Sequence, residues 1–176
     1  MAALAAGMEP RSTVREGAPT DPRAGKYLVF QLGKEDFGTN VLKIREIMKI
    51  QDITNVPQTP AFVKGVINLR GKVIPVIDLR AKFGMPEQDY TDQSCIIVIR
   101  THSAGGEIAV GIVVDGVVEV LTLVAAEIED TPDFGHGAAN PCLLGMAKVK
   151  GKVKILLDMD EVLSRQEIQS LDALGK

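Results

Sequence analysis

Few residues in this 176-residue chain combine the types and spacing that chemistry requires. The two histidines, His102 and His136, sit in turn-like contexts with no Cys, His or carboxylate at metal-ligand spacing. They read as solvated loop histidines. Cys95 lies in an apolar strand-like run and Cys142 follows Asn140-Pro141, with no Cys-x-x-Cys between them. Both read as thiols of a reducing compartment. Gly135-His-Gly-Ala-Ala-Asn140 is only superficially a dinucleotide fingerprint, because Asn140 replaces the last glycine and no βαβ pattern surrounds it. A phosphate-loop Gly-Lys-Ser/Thr and a Gly-x-Ser-x-Gly elbow are absent. Asp78 and Asp158 could form an acid–base pair, but each stands just before a helical pattern, where a carboxylate caps free N–H groups. Glu127, Glu129 and Asp130 read as a solvated acidic loop. No enzyme, cofactor or metal is expected.

What remains is Asn68-Leu69-Arg70-Gly71, followed by Lys72-Val-Ile-Pro-Val-Ile-Asp-Leu79. A β-hairpin with an exposed arginine accounts for Gly71. It does not account for the whole combination, since hairpin turns favour Asn-Gly or Asp-Gly.

The elements that position this segment are short and β-rich. Leu28, Phe30 and Leu32 alternate onto one strand face, and Gly33-Lys34 makes a two-residue turn into Glu35–Thr39. A helical turn near Val41 is expected before a strand from about Ile44. Thr59-Pro60 through Gly65 has the cap, first-turn proline and left-handed exit of a one- or two-turn helix. A turn at Gly71-Lys72 then joins Val66–Arg70 to Val73–Ile77, where Pro75 asks for a sheet edge or an outward-facing position. Asp78 caps a short helix ending at Gly84. Cys95–Arg100, Ile108–Val114, Val117–Leu123, Leu144–Lys148 and Val153–Leu157 read as strands, with turns at Gly105-Gly106 and a hairpin-type Asp115-Gly116. Asp158 begins a helix, with Glu161 in a capping-box-like position.

This grammar repeats. At an offset of 80, Gly65 to Asp78 aligns with Gly145 to Asp158, placing Gly71 on Gly151, Lys72 on Lys152 and Asp78 on Asp158. At an offset of 73, Gly38, Val41, Ile44, Glu46 and Ile47 align with Gly111, Val114, Val117, Glu119 and Val120. Chance likeness of Val/Ile-rich strands explains the apolar matches, but not the glycines and the closing aspartate as well. Two copies of a short-strand unit imply two small β-barrels, because closure removes exposed edges.

The bulk properties agree. Aromatics make up 4% of the chain and Trp is absent, so Val, Ile and Leu must build the core. A net charge of −3, with basic and acidic residues interleaved, gives no basic stripe for nucleic acid. No apolar run reaches the roughly 20 residues of a membrane span. Residues 1–25, rich in Ala, Gly and Pro, read as a disordered tail.

Thr59–Arg80 resembles the signature of the CheW family, Ile112–Val120 resembles its second-subdomain motif, and Phe37–Ile47 resembles its first-subdomain opening. The likeness runs from about Lys26 to about Leu163. It implies a mainly β domain, 26–165, of two packed SH3-like five-stranded barrels (about 26–85 and 92–158), with residues 166–176 as a helix end or tail. It also implies a chemotaxis adaptor, cytoplasmic at receptor arrays beneath the inner membrane, that bridges the cytoplasmic tips of chemoreceptors and the regulatory domain of the histidine kinase CheA. Neither membrane insertion nor nucleic acid is involved. Carried onto this sequence, Arg70 is the first candidate for a functional side chain and Glu46 its salt-bridge partner. Ile44, Ile47, Val66 and Leu69 are apolar interface candidates or, equally, ordinary barrel core. Gly65 and Asn68 belong to the same run. Of Val113 and Val114, one faces a cleft between the barrels, because neighbouring strand residues face opposite sides. Other readings are an adaptor of a pilus or developmental system, a β-barrel enzyme or nucleic-acid module, and a fragment of a CheA- or CheV-like chain.

Overall fold

The computed structural model describes residues 21–130 and 142–174, so His136, Gly135–Asn140 and residues 1–20 of the expected tail lie outside the described residues. The strands are β1 (Gly25–Leu32), β2 (Glu35–Asn40), β3 (Ile44–Lys49), β4 (Val63–Leu69), β5 (Lys72–Asp78), β6 (Cys95–Ser103), β7 (Gly106–Val114), β8 (Gly116–Leu123), β9 (Ile128–Glu129), β10 (Leu143–Val149) and β11 (Lys152–Leu157). Two short helices follow strands, α1 (Leu79–Lys82) and α2 (Met159–Val162), and α3 (Arg165–Leu174) follows α2. Two sheets result, one ordered β8-β1-β2-β11-β10-β9 and the other β3-β6-β7-β5-β4. The chain is mainly β, as read.

The sheets do not follow the expected division at 26–85 and 92–158. Each takes strands from both halves of the chain. The first two strands of a half enter one sheet and the rest, three in the first half and four in the second, enter the other. Crossings occur at the 3₁₀ turn Val41–Lys43 and at the single residue Asp115. Asp115-Gly116 is therefore a passage between sheets and not a hairpin turn. The physical reason lies in strands that are apolar on both faces. On β1, Leu28, Phe30 and Leu32 enter a core shared by the two sheets, while Tyr27 enters a cluster of the six-stranded sheet alone. On β6, Cys95, Ile97 and Ile99 enter the shared core, while Ile96 and Val98 enter the five-stranded sheet's own cluster. A strand of this kind must be covered on both sides. Each fully buried Leu, Ile or Phe contributes about 1.5–3 kcal/mol to holding it there.

The repeat survives the exchange. Replacing each strand by its counterpart converts one sheet order into the other, with β9 matched by Thr54, which bridges to Val66 on β4. The matched glycines have matched reasons. A Cβ on Gly65 would lie 2.0 Å from the Thr54 carbonyl oxygen, and one on Gly145 would lie 2.6 Å from that of Glu129. Both positions carry the chain across a bulge at the point where its sheet closes.

That constraint overturns the helix expected from Thr59 to Gly65. Gly65 sits inside β4 with φ of 143°, and the Thr59 hydroxyl donates back to the Val56 carbonyl instead of capping. The following turn is centred on Arg70-Gly71, one residue earlier than expected, because Leu69 pairs with Lys72. β5 is internal. Pro75 fits there because the ladder to β7 begins at Val76. The C-terminal helix breaks after Val162, and α3 then covers the shared core through Ile168 and Leu171. Asp78 and Asp158 cap α1 and α2, each accepting from the backbone N–H two residues on. Among the described residues, no helix is long and apolar enough to cross a membrane.

Candidate functional site

The Arg70 turn is built by its neighbours. Arg70 and Gly71 both have positive φ, 52° and 86°, the geometry of a two-residue turn that follows the strand twist. The Asn68 side-chain oxygen accepts from the Gly71 N–H at 2.9 Å and holds the loop in that shape. A non-glycine residue in this region carries a steric cost. It places the guanidinium at the tip of the hairpin, 74% exposed.

Glu46 meets it there. Arg70 Nη2 donates to Glu46 Oε2 at 2.9 Å, and Nη1 lies 2.7 Å from Oε1, a two-pronged pair. Glu46 belongs to β3 and Arg70 directly follows β4, the two edge strands of the five-stranded sheet, so the pair links its two edges. Exposed pairs contribute only about 0–1 kcal/mol to stability. A groove of about 480 Å³, lined in part by Arg45, Gly71, Val73 and Ile108, adjoins the turn.

The other candidates divide by burial. Ile47 is 45% exposed on the edge strand β3 and Asn68 is exposed. Val66 is half-buried. Ile44 and Leu69 are half-buried, Ile44 against the shared core and Leu69 against the five-stranded sheet's own cluster. Gly65 is buried and serves the closure of the sheet. Val113 and Val114 do face opposite sides, but neither lines an open cleft. Val113 enters the five-stranded sheet's cluster and Val114 the shared core, because β7 is covered on both faces.

Sequence reasoning missed two features. The edge strand β8 exposes Val117, Val118 and Val120, and Val124 follows at 56% exposure, an apolar strip of the kind that marks interaction surfaces. A strand pattern alone does not say which strand ends at an edge. The second is a clasp. The Arg80 guanidinium, 7% exposed, pairs with Asp115 and donates to the Pro86 carbonyl, while Asp115 also accepts from the Gly33 N–H at 2.6 Å. Both residues stood inside the motif runs, but their meeting across the crossing needed the topology. Among the described residues, no group of three or more His, Cys, Asp or Glu side chains could hold a metal.

The family model for the CheW-like domain matches residues 26–167. This chain belongs to the CheW family. It is 38% identical over 151 residues to the chemotaxis protein CheW of Klebsiella aerogenes, covering 86% of this chain and 89% of that protein. Against CheW of Bacillus subtilis the identity is 34% over 145 residues, covering 82% and 90%. Among solved structures, the scaffolding protein TtCheW from Thermoanaerobacter tengcongensis superposes with a TM-score of 0.70 at 33% identity, covering 82% of this chain and 97% of that one. CheW proteins are chemotaxis scaffolds, and scaffolding turns on the surfaces that hold partners.

Proposed function

We propose that this chain is a cytoplasmic chemotaxis adaptor whose Arg70 tip is part of the surface that couples the tips of chemoreceptors to the regulatory domain of the kinase CheA. Membership of the CheW family from residue 26 to 167 supports the adaptor role. The observation that carries the reading is the Arg70 turn. A guanidinium held out by a strained, Asn68-braced loop and oriented by Glu46 suits a docking contact better than a structural one. Ile47 and the adjoining groove supply apolar area beside it. Charged rims of this kind mainly set orientation and association rate, with apolar contacts adding affinity.

The test is a titration of the full chain against the isolated regulatory domain of a CheA from the same genome. Saturable binding that weakens about tenfold or more in Arg70→Glu is the expected result, the cost of turning one charge-assisted contact into repulsion. Absence of binding between two demonstrably folded partners overturns the adaptor assignment to that kinase. Wild-type affinity in Arg70→Glu removes Arg70 from the surface while leaving the adaptor reading in place.

A further inference from the structure

The repeat makes the two halves of the chain nearly interchangeable in backbone, but three of the ion pairs that join them sit at repeat-matched positions and are not interchangeable at all. The first two are clasps between a helix of one half and the crossing segment of the other. Arg80 on α1 pairs with Asp115 at the second crossing. Asp160, the counterpart of Arg80 at an offset of 80, pairs with Lys43 at the end of the first crossing. Lys43 lies one residue beyond the position matching Asp115. The two clasps are thus equivalent in place and opposite in sign.

The third contact lies in a seam. In the six-stranded sheet β11 runs parallel to β2 with Lys154 opposite Asp36, and the two pair at 2.5 Å with 6% and 2% of their side chains exposed. The matching positions in the other sheet hold Ile74 and Ala109, which pack in its apolar cluster. One seam is ionic and the other apolar.

These differences forbid like-with-like pairing. If the first half paired with the first half of a second copy, Arg80 would meet Lys43 and Asp36 would be buried against Ile74. If the second half paired with itself, Asp160 would meet Asp115 and Lys154 would be buried against Ala109. Each alternative combines like-charge repulsion with an unpaired buried charge, both strongly unfavourable. We infer that these six residues are a pairing code, which makes the first half fold against the second and reject its own kind. The consequence is a chain that resists forming like-paired, strand-exchanged assemblies with neighbouring copies, a hazard of duplicated β-units.

The experiment inserts a protease site between the exposed residues Gln88 and Asp89, cleaves the folded full chain, unfolds and refolds the mixture, and weighs the paired halves by native mass spectrometry. From the wild type, like pairs are expected to stay below about one in twenty. In the variant D36A/K154I/K43E/D160K both seams are apolar and both clasps have one sign, so every intended contact keeps a partner. Like pairs should then rise towards about half of the total, the value for random pairing. K43E/D160K alone, a change confined to partly exposed residues, should give an intermediate share. A random mixture from the wild type, or only unlike pairs from the fourfold variant, overturns the code and assigns the choice to the contacts left in place, apolar packing and the Lys82–Glu167 pair among them. Should cleaved halves not refold, the intact chains are refolded at high concentration. A strand-exchanged dimer about tenfold more abundant in the variant is then expected, and equal dimer fractions overturn the proposal.

Discussion

At the scale of single residues, backbone space decides more than side-chain chemistry. Gly65 and Gly71 both have positive φ and both belong to the hairpin that carries Arg70, yet they are constrained differently. A Cβ on Gly71 meets nothing within 4 Å, whereas one on Gly65 would collide with the Thr54 backbone. Gly71→Ala is therefore expected to cost about 1 kcal/mol, the conformational penalty alone. Gly65→Ala should cost about 3 kcal/mol or more, because β4 must move off its neighbour. Urea denaturation of the two variants checks the ranking, and equal losses would mean that the closure at Thr54 yields easily. Arg70→Glu should change the unfolding free energy by less than about 1 kcal/mol, since the side chain is mostly in solvent. The Arg70–Glu46 pairing was legible in the sequence because hairpin turn and edge strand both carried motif residues. Its position linking the two edges was not, since that depends on which strands end up as edges.

At the scale of elements, the β2–β11 seam rests on Asp36. Burial alone would raise its carboxyl pKa, but hydrogen bonds from Lys154, Lys152 and Gln31 outweigh this and hold it below the ordinary carboxylate value. A group depressed in the folded state contributes stability that is full above its unfolded value and is lost as pH falls through the folded one. The seam should accordingly be intact above about pH 4 and weaken on further acidification. Thermal melts between neutral pH and pH 3 test this, and Asp36→Ala should remove that part of the acid sensitivity. Asp36→Ala alone should cost about 3–5 kcal/mol by stranding Lys154. The double change D36A/K154I, which copies the apolar seam of the other sheet, should recover most of that loss. A double-mutant cycle with no coupling would show that the pair is solvated and not buried.

At the scale of the whole molecule, the interleaved topology means that neither half of the chain contains a complete sheet. Residues 21–88 alone hold two strands of one sheet and three of the other, and their apolar faces would lie open. Such a fragment is expected to lack the cooperative unfolding of the full chain, as circular dichroism against temperature would show; a sharp independent transition would mean that one half suffices. The N-terminal edge of the domain is also set by tertiary contacts. Arg23 donates to Asp130 and to the Leu144 carbonyl, and its own carbonyl accepts from the Tyr27 hydroxyl at 2.6 Å. Residues 21–25, read from composition as tail, therefore join the domain, and β1 begins at Gly25. Removing residues 1–20 is expected to leave the melting temperature unchanged, whereas removing residues 1–25 should lower it.

The sequence by itself determined most of the strands, the two capped helices after Asp78 and Asp158, the repeat and the family. Period-two alternation, capping and glycine in tight turns are local demands that a string of residues states directly. It also named Arg70 and Glu46, two members of motif runs that happen to meet. The partition into sheets was decided only by tertiary structure. A strand apolar on both faces announces burial but not its neighbours, and two similar halves offer each strand two plausible mates. Burial of Val113 and Val114, the strand at Gly65 where a helix was expected, and the clasps at Asp115 and Lys43 all follow from that one choice. The physical reason is that pairing energy belongs to contacts between residues some 35 to 120 positions apart, and a local pattern contains no term for them.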